Sequence, residues 1–400
     1  MKRKDRMETS LDILMITHHR SFKAVARSRP MAESLIRRGH RVTLVVTSDN
    51  RRFGTEVATS NGLRIVEAPD LLWGRLRSGW DAWDLLNRMA LLRKDGHYDL
   101  VHCFETRPAT IYPALDVVRR QRVPLVTDWN DWFGRGGLIT ISRPRWYRAM
   151  FEGIETYYEE AFRTRAAGLT VISTALARRG AALGVPESRI CHIPGGVIAS
   201  GIPARTMDEC RSKVGYPADQ PILGFASADS HLDLEIVMEA LRIVVRTHPD
   251  VKLVVSGRTS KRVVDLVNSH GVQDNVALIG FVTSDDLAWH MGAADLFLLP
   301  FPDTVYNRGR WPNKLGLYMC LGRPTVSNPT GDVKTAFERH HVGLLAEWDP
   351  EDFAAKILTL IEDPMLAREL GANGRRVALT EYDWDKLIVR LEDFYEEVLG

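Results

Sequence analysis

The sequence predicts an α/β protein made of two doubly wound parallel-sheet domains in series, facing one another across a cleft. Three observations predict it. Short unbroken Val/Ile/Leu runs recur along the chain, amphipathic segments separate them, and the rhythm breaks at a Gly/Pro-rich stretch and restarts after residue 220. Runs without polar alternation belong to strands buried on both faces, and helical crossovers between such strands make the sheets parallel. Four hundred residues also exceed one ordinary core, so two domains are the default.

In order, "LDILMIT" is the first strand, "KAVARSRPMAESLIRRG" a helix and "RVTLVVT" the second strand; "YDLVHC", "VPLVT" and "GLTVIS" follow as later strands. The start of the chain has a basic end but a short apolar run closed by His-His-Arg, so it reads as a strand and not as a signal peptide. In the second half "PILGFAS" leads to a helix at about 233–248, and "VKLVVSG", "VALIG", "ADLFLLP", "PTVSN" and "VGLLAE" are strands. The closing "EYDWDKLIVRLEDFYEEVLG" is an amphipathic helix with Trp384, Leu387, Leu391 and Phe394 at helical spacing. It either caps the second domain or crosses back to the first. The predicted boundaries are residues 1–196 for the first domain, 197–220 for a linker, 221–378 for the second domain and 379–400 for the closing helix.

The net charge of +2 conceals a polarity. Residues 1–200 hold about 32 Lys and Arg against 21 Asp and Glu, and residues 201–400 about 21 against 30. A basic first half suits an anionic partner such as a lipid headgroup surface or a phosphorylated acceptor; a solvated arginine-rich surface explains it equally well. Cys103, Cys191, Cys210 and Cys320 form no C-x-x-C pair, which points to a reducing compartment and away from structural zinc. No apolar run approaches the ~20 residues of a membrane span, so the expectation is a cytoplasmic protein, at most peripheral to a membrane.

Ligands of open parallel sheets bind beyond the carboxyl ends of strands. After the first strand, His18, His19, Arg20, Lys23, Arg27 and Arg29 gather near a helix start as an anion-facing cluster, with no G-x-G-x-x-G fingerprint. After "VPLVT", the stretch "DWNDWFGRGG" sets Asp128 and Asp131 among Trp129 and Trp132. Carboxylates beside indole rings suit a polyhydroxylated ring, or else they are helix caps. His102 lies on a strand and reads as a core histidine. In the second half Arg258 follows a glycine at a strand end, and Gly280, Phe281 and Val282 offer backbone groups to a planar ligand at the next. "NRGRWPNKLGLYMCLGRPTV" then breaks at Pro312, with Asn313 placed to cap a helix running to about Leu321. A helix amino end carries free N–H groups and positive potential, and Arg310 and Lys314 add formal charge: a site for a nucleotide diphosphate. The segment "LLWGRLRSGWDAWDLLNRMALLRK" carries Trp, Leu and basic residues that would suit a membrane interface or burial against the first sheet.

The order of these motifs resembles the GT-B glycosyltransferases, specifically glycosyltransferase family 4, with two Rossmann-like domains. "RSRPMAESLIRRGHRVTLVVT", "GLTVISTALARRGAALGVPESRICHIPGGV", "NVALIGFVTSDDLAWHMGAADLFLLPF", "PNKLGLYMCLGRPTVSN" and the closing helix carry the resemblance over nearly the whole chain. It implies a metal-independent enzyme without a cofactor that moves a sugar, with retention, from a nucleotide-sugar donor on the second domain to an acceptor on the first. The acceptor would be anionic or lipid-linked, and no nucleic acid is expected. It also implies that Lys314 and Arg310 hold the diphosphate, that Gly280 to Val282 meet the base, that Asp131 lies towards the acceptor, and that the closing helix returns to the first domain. The departures are specific. The two glutamates that such enzymes carry eight residues apart fall here at Gly309 and Leu317, the second in the ribose region. The strand-end Arg and Lys have Ser227 and Leu232 near their places, and "LVHCF" lacks a second histidine. A sugar-nucleotide sensor or partner subunit without turnover, and a sugar-nucleotide epimerase, are the alternatives. Base, sugar, acceptor and oligomeric state are not legible.

Overall fold

The computed structural model describes residues 10–20, 27–71, 78–202, 205–226 and 231–400. Lys23, Ser227, residues 72–77 and the side chain of Leu232 lie outside the described residues. The elements through residue 192 are β1 (Asp12–Arg20), α1 (Ser28–Arg37), β2 (Arg41–Thr47), β3 (Glu56–Ser60), β4 (Leu63–Ala68), α2 (Ala82–Leu92), β5 (Leu100–Phe104), α3 (Pro108–Gln121), β6 (Leu125–Trp129), α4 (Leu138–Ser142), α5 (Arg145–Glu160), β7 (Gly168–Val171), α6 (Thr174–Ala182) and β8 (Ile190–His192). There follow α7 (Met207–Val214), β9 (Ile222–Ala226), α8 (His231–Thr247), β10 (Lys252–Ser256), α9 (Lys261–Ser269), β11 (Val276–Gly280), α10 (Ser284–Gly292), β12 (Leu296–Leu299), α11 (Val305–Arg308), α12 (Asn313–Cys320), β13 (Thr325–Ser327), α13 (Gly331–His340), β14 (Gly343–Leu345), α14 (Pro350–Glu362), α15 (Pro364–Thr380) and α16 (Trp384–Leu399).

The chain divides into two units, one of Met1–Gly195, Gly309–Trp311 and Trp384–Gly400, the other of Gly196–Arg308 and Pro312–Asp383. Strand order in the first is β3-β4-β2-β1-β5-β6-β7-β8, and in the second β11-β10-β9-β12-β13-β14. The apolar runs become strands, and the β5 and β6 runs are buried throughout because helices cover both faces. One strand departs from the all-parallel expectation: β3 pairs antiparallel with β4 at the sheet edge. Its turn is Asn61-Gly62, both at positive φ (50° and 83°), the backbone that a two-residue hairpin demands.

In the first unit Leu14, Ile16, Val45, Val101 and Leu125 meet Ile111 and Val117 of α3. In the second, Leu223, Phe225, Leu253 and Val255 lie among Val237, Leu241 and Val244 of α8 and Phe353 and Ile357 of α14. Each such side chain contributes ~1.5–3 kcal/mol on burial. The predicted linker contains a real helix, α7, held by a capping box in which Thr206 Oγ1 accepts from Glu209 N and the Glu209 carboxylate accepts from Thr206 N.

The closing helix α16 belongs to the first unit. Its Leu387, Ile388, Leu391 and Phe394 are buried, and Glu392 accepts from Arg38 and meets His40 Nε2 at 3.0 Å. Gly168 on β7 leaves room for it, since a Cβ there would lie 2.7 Å from the Phe394 ring.

Candidate functional site

Two groups of predicted residues stand on two units. On the first they follow β1 and β6. Asp128 is fully buried: Arg27 donates to both its oxygens (Nε 2.9 and 3.0 Å, Nη2 2.8 Å) and Thr170 Oγ1 donates at 2.6 Å. Burial pushes this carboxyl up, but the Arg27 guanidinium and its hydrogen bonds outweigh that effect and hold it below its usual range. Arg27 also donates from Nη1 to Ile193 O at 3.0 Å. The expectation that Asp128 and Arg27 face ligands is therefore corrected: each neutralises the other, which is what a buried charge requires. Trp129 is corrected likewise. It is fully buried, its Nε1 donates to Glu159 Oε1 at 2.9 Å, and Arg163 and Arg179 lie over its ring at 4.3 and 5.0 Å.

The cluster after β1 is largely committed within the protein. Arg20 bonds Asp70, at 2.5 Å, and the Ser48 carbonyl, at 2.9 Å, and Arg29 bonds Glu33 at 2.8 Å. His18 is buried, with Nδ1 3.1 Å from Ser78 Oγ, and burial holds its pKa well below the usual value. The half-buried His19 packs edge-on to it at 4.5 Å. In the basic segment around α2, Arg88 is fully buried on Asp84, Thr47 and the Thr17 carbonyl, so it offers no charge to a membrane.

Asp131 and Trp132 differ from the residues before them, for both are only half-buried. Burial raises the Asp131 pKa from 3.8 to about 6; Arg310 opposes the rise, and Glu159 adds to it. Arg310 thus acts on the first unit, with which residues 309–311 are grouped. Trp132 carries Arg179 over its ring at 4.0 Å and donates from Nε1 to Arg135 O at 3.1 Å. One residue here escaped the sequence reading. Glu105, just after β5, is buried in the left-handed region (φ 62°), and burial pushes its carboxyl up to about 8. A non-glycine residue in that region at a strand end marks stored strain. Its only sequence signal is an acid following the apolar run "LVHCF".

On the second unit the carboxyl ends of three neighbouring strands stand level, Ser256 of β10 being in register with Ala226 of β9 and Gly280 of β11. At ~4.8 Å between strands, that edge spans about 10 Å. Lys314 Nζ donates to Ala226 O at 2.8 Å and lies 5.0 Å over the Phe225 ring. Tyr318, one turn on, accepts from Ala226 N at 2.8 Å and stacks on Phe297 at 4.1 Å, which seats α12 over the strand ends. Arg258 and Phe281 are exposed at the next two strand ends, and Val282 is half-buried. Gly280 has φ 70°, and its carbonyl accepts from Gly257 N at 3.0 Å, so that acceptor is engaged by the backbone. Asn313 is the first helical residue and exposed; Pro312 is the N-cap, its carbonyl accepting from Leu315 N at 2.9 Å. Asn313 is therefore no cap, because proline's fixed φ already sets the turn. Leu317 is half-buried on α12 and Gly309 buried.

A separate cavity of about 610 Å³ lies at the opposite edge of this sheet, beside Pro221, Asp295 and Pro324, which precede β9, β12 and β13. Among the described residues no helix is long and apolar enough to cross a membrane, and no group of three or more His, Cys, Asp or Glu is placed to hold a metal ion.

Comparison with known proteins follows the same division. Residues 29–200 match the model of Glycosyltransferase Family 4, and residues 220–363 that of Glycosyl transferases group 1. The D-inositol 3-phosphate glycosyltransferase of Kineococcus radiotolerans is 27% identical over 217 residues, 49% of this chain and 49% of that protein. The chain spans about half the length of the curated relatives it matches. Sucrose-phosphate synthase from Thermosynechococcus elongatus shares the fold with a TM-score of 0.76 at 18% identity, covering 97% of this chain and 98% of that one. Anabaena HepE in complex with UDP and glucose gives 0.70 at 16%, covering 97% and 100%. Two parallel-sheet units with these matches define the GT-B glycosyltransferase class. Within that class the chain belongs with the family 4-like glycosyltransferases.

Proposed function

We propose that this protein transfers a glycosyl group from a nucleotide-sugar donor to a hydroxyl acceptor, with retention and without a metal. The observation that carries the reading is Lys314: its ammonium sits on the terminal carbonyl of β9, at the amino end of α12 and beside the level ends of β10 and β11. There a cation and a helix amino end meet a strip long enough for a nucleoside diphosphate. In the reaction the bond from the anomeric carbon to the diphosphate breaks as the acceptor oxygen bonds to that carbon, and the proton of the acceptor hydroxyl passes to the departing diphosphate. Lys314, Asn313 and Arg258 stabilise the departing anion, as cations and oriented N–H groups do where charge develops. Gly280, Phe281 and Val282 flank the base. Asp131, towards the acceptor, accepts a hydrogen bond from its hydroxyl, and Arg310 favours the ionised carboxylate.

The relatives support this reading: one is named for an inositol phosphate acceptor, and one fold neighbour was crystallised with UDP and glucose. One observation favours a second reading, a sugar-nucleotide binder without turnover: Leu317 and Gly309 supply no carboxylate for ribose or sugar. Calorimetry with a panel of nucleoside diphosphates, followed by product analysis with the matching sugar nucleotides, separates the two. Binding with release or transfer of sugar supports the enzyme, binding alone supports the second reading, and no binding overturns both.

A further inference from the structure

The helix α5 presents a face that the glycosyl-transfer reading does not use. Trp146, Met150, Ile154 and Tyr157 recur at spacings of four, four and three, which lines them up along one side of the helix. They are between 46% and 67% exposed, far more than large apolar side chains need be on a solvated surface. Ile141 of α4, shortly before it in the chain, is also exposed.

The polar residues of this segment are sorted by charge. Arg143 and Arg145 are exposed beside the stripe, the first with its guanidinium 5.2 Å over the Tyr147 ring. The glutamates of α5 are engaged within the protein: Glu155 and Glu159 are buried, and the half-buried Glu152 and Glu160 accept from Thr140 and Arg179. The exposed side chains of this face are thus apolar and cationic, while its carboxylates are buried or engaged by partners.

We infer that α5 is a docking face for an anionic lipid bilayer, lying in the headgroup layer with Trp146, Met150, Ile154 and Tyr157 inserted and Arg143 and Arg145 on lipid phosphates. Amphipathic aromatic rings beside arginines are what an interfacial helix uses, and the charge complementarity selects anionic lipid. Docking has a consequence for the acceptor, which rests on the glycosyl-transfer reading. The loop carrying Asp131 hangs on α5, because Glu159 accepts from Phe133 N at 2.8 Å and Gly134 N at 2.6 Å, and Thr156 Oγ1 accepts from Arg135 N at 3.0 Å. A docked α5 therefore holds the acceptor loop at the bilayer, and the acceptor is lipid-borne.

The test is co-sedimentation of the full chain with vesicles of phosphatidylcholine, alone or mixed with phosphatidylglycerol. The wild type is expected in the pellet with the anionic vesicles and released by salt. Trp146→Glu/Ile154→Glu should lower partitioning about tenfold or more, and Arg143→Glu/Arg145→Glu should remove the preference for anionic lipid. Both variants alter exposed side chains, so their melting temperature and nucleoside-diphosphate affinity should stay at wild-type values. Wild-type protein that ignores anionic vesicles, or a double variant that still binds them, overturns the proposal. So does light scattering that shows a dimer dissociated by Trp146→Glu/Ile154→Glu, which assigns the face to a second copy. Nucleotide binding is read separately, so failure of docking and failure of the transferase reading are distinct results.

Discussion

The Nζ of Lys314 donates to the carbonyl of Ala226 at 2.8 Å, tying the first turn of α12 to the last residue of β9 across 88 positions of sequence. One cation is thereby fixed where a strand ends and a helix begins, the two features that anion sites on parallel sheets share. Lys314→Ala should weaken nucleoside-diphosphate binding by about 1.5–3 kcal/mol, the range of a hydrogen bond to a charged group. Titration calorimetry checks this, and an unchanged affinity would sink the assignment. Lys314→Arg is the control for lost charge alone.

Asp131 gives the reaction a pH signature. Burial raises its carboxyl from 3.8 to about 6, with Arg310 pulling the other way. The carboxylate that accepts from the acceptor hydroxyl therefore forms as pH rises through about 6, and the transfer rate should rise over the same range. Asp131→Asn should lower the rate and abolish that limb. Arg310→Ala should move the limb to higher pH, because the opposing charge is gone. A limb that stays put in both variants belongs to another group.

What the sequence revealed was whatever local pattern encodes. The apolar runs located β1, β2, β5, β6, β7 and the second-unit strands, and "PNKLGLYMC" located α12. The β3–β4 hairpin went unpredicted although Asn61-Gly62 announces it, and α7 was absorbed into a linker although Thr206-x-x-Glu209 spells a capping box. Those were legible and missed. The pairing of Arg27 with Asp128 was not legible: 101 residues separate them, and each alone resembles a ligand-binding group. Asp128 and Asp131 sit three apart in one motif, yet one ends on the buried strand β6 and the other beyond it. That single step of chain decides which carboxylate is structural.

Removing Arg27 tests that division. Arg27→Ala leaves the fully buried Asp128 carboxylate with Thr170 as its remaining side-chain hydrogen-bond partner among the described residues, and two backbone carbonyls lose a donor. Breaking one side of a buried pair costs about 3–5 kcal/mol, so the urea midpoint should fall by a corresponding amount. If Arg27 instead served a ligand, the variant would keep its midpoint and lose binding.

The same carboxylate orders a chain of hydrogen bonds that fastens α16. Thr170 Oγ1 donates to Asp128 Oδ2 at 2.6 Å, so its lone pairs face His102 Nε2 at 3.1 Å. The imidazole must then carry its proton on Nε2, and Nδ1 accepts from Tyr395 Oη at 2.6 Å. Burial lowers the His102 pKa from 6.5 to about 4, which keeps this neutral tautomer in place. A histidine with a depressed folded pKa contributes stability that is present above its unfolded value and is lost as pH falls from 6.5 towards 4. Urea midpoints should drop across that window, and His102→Asn should lower the midpoint at neutral pH while flattening the drop. Tyr395→Phe removes the donor to Nδ1 and should cost about 1–3 kcal/mol at pH 7, the penalty of a buried acceptor left unsatisfied. Because α16 carries Tyr395, its amides should then exchange faster than those of β5 and β6. Uniform exchange across all three elements would mean that this contact does not fasten the closing helix.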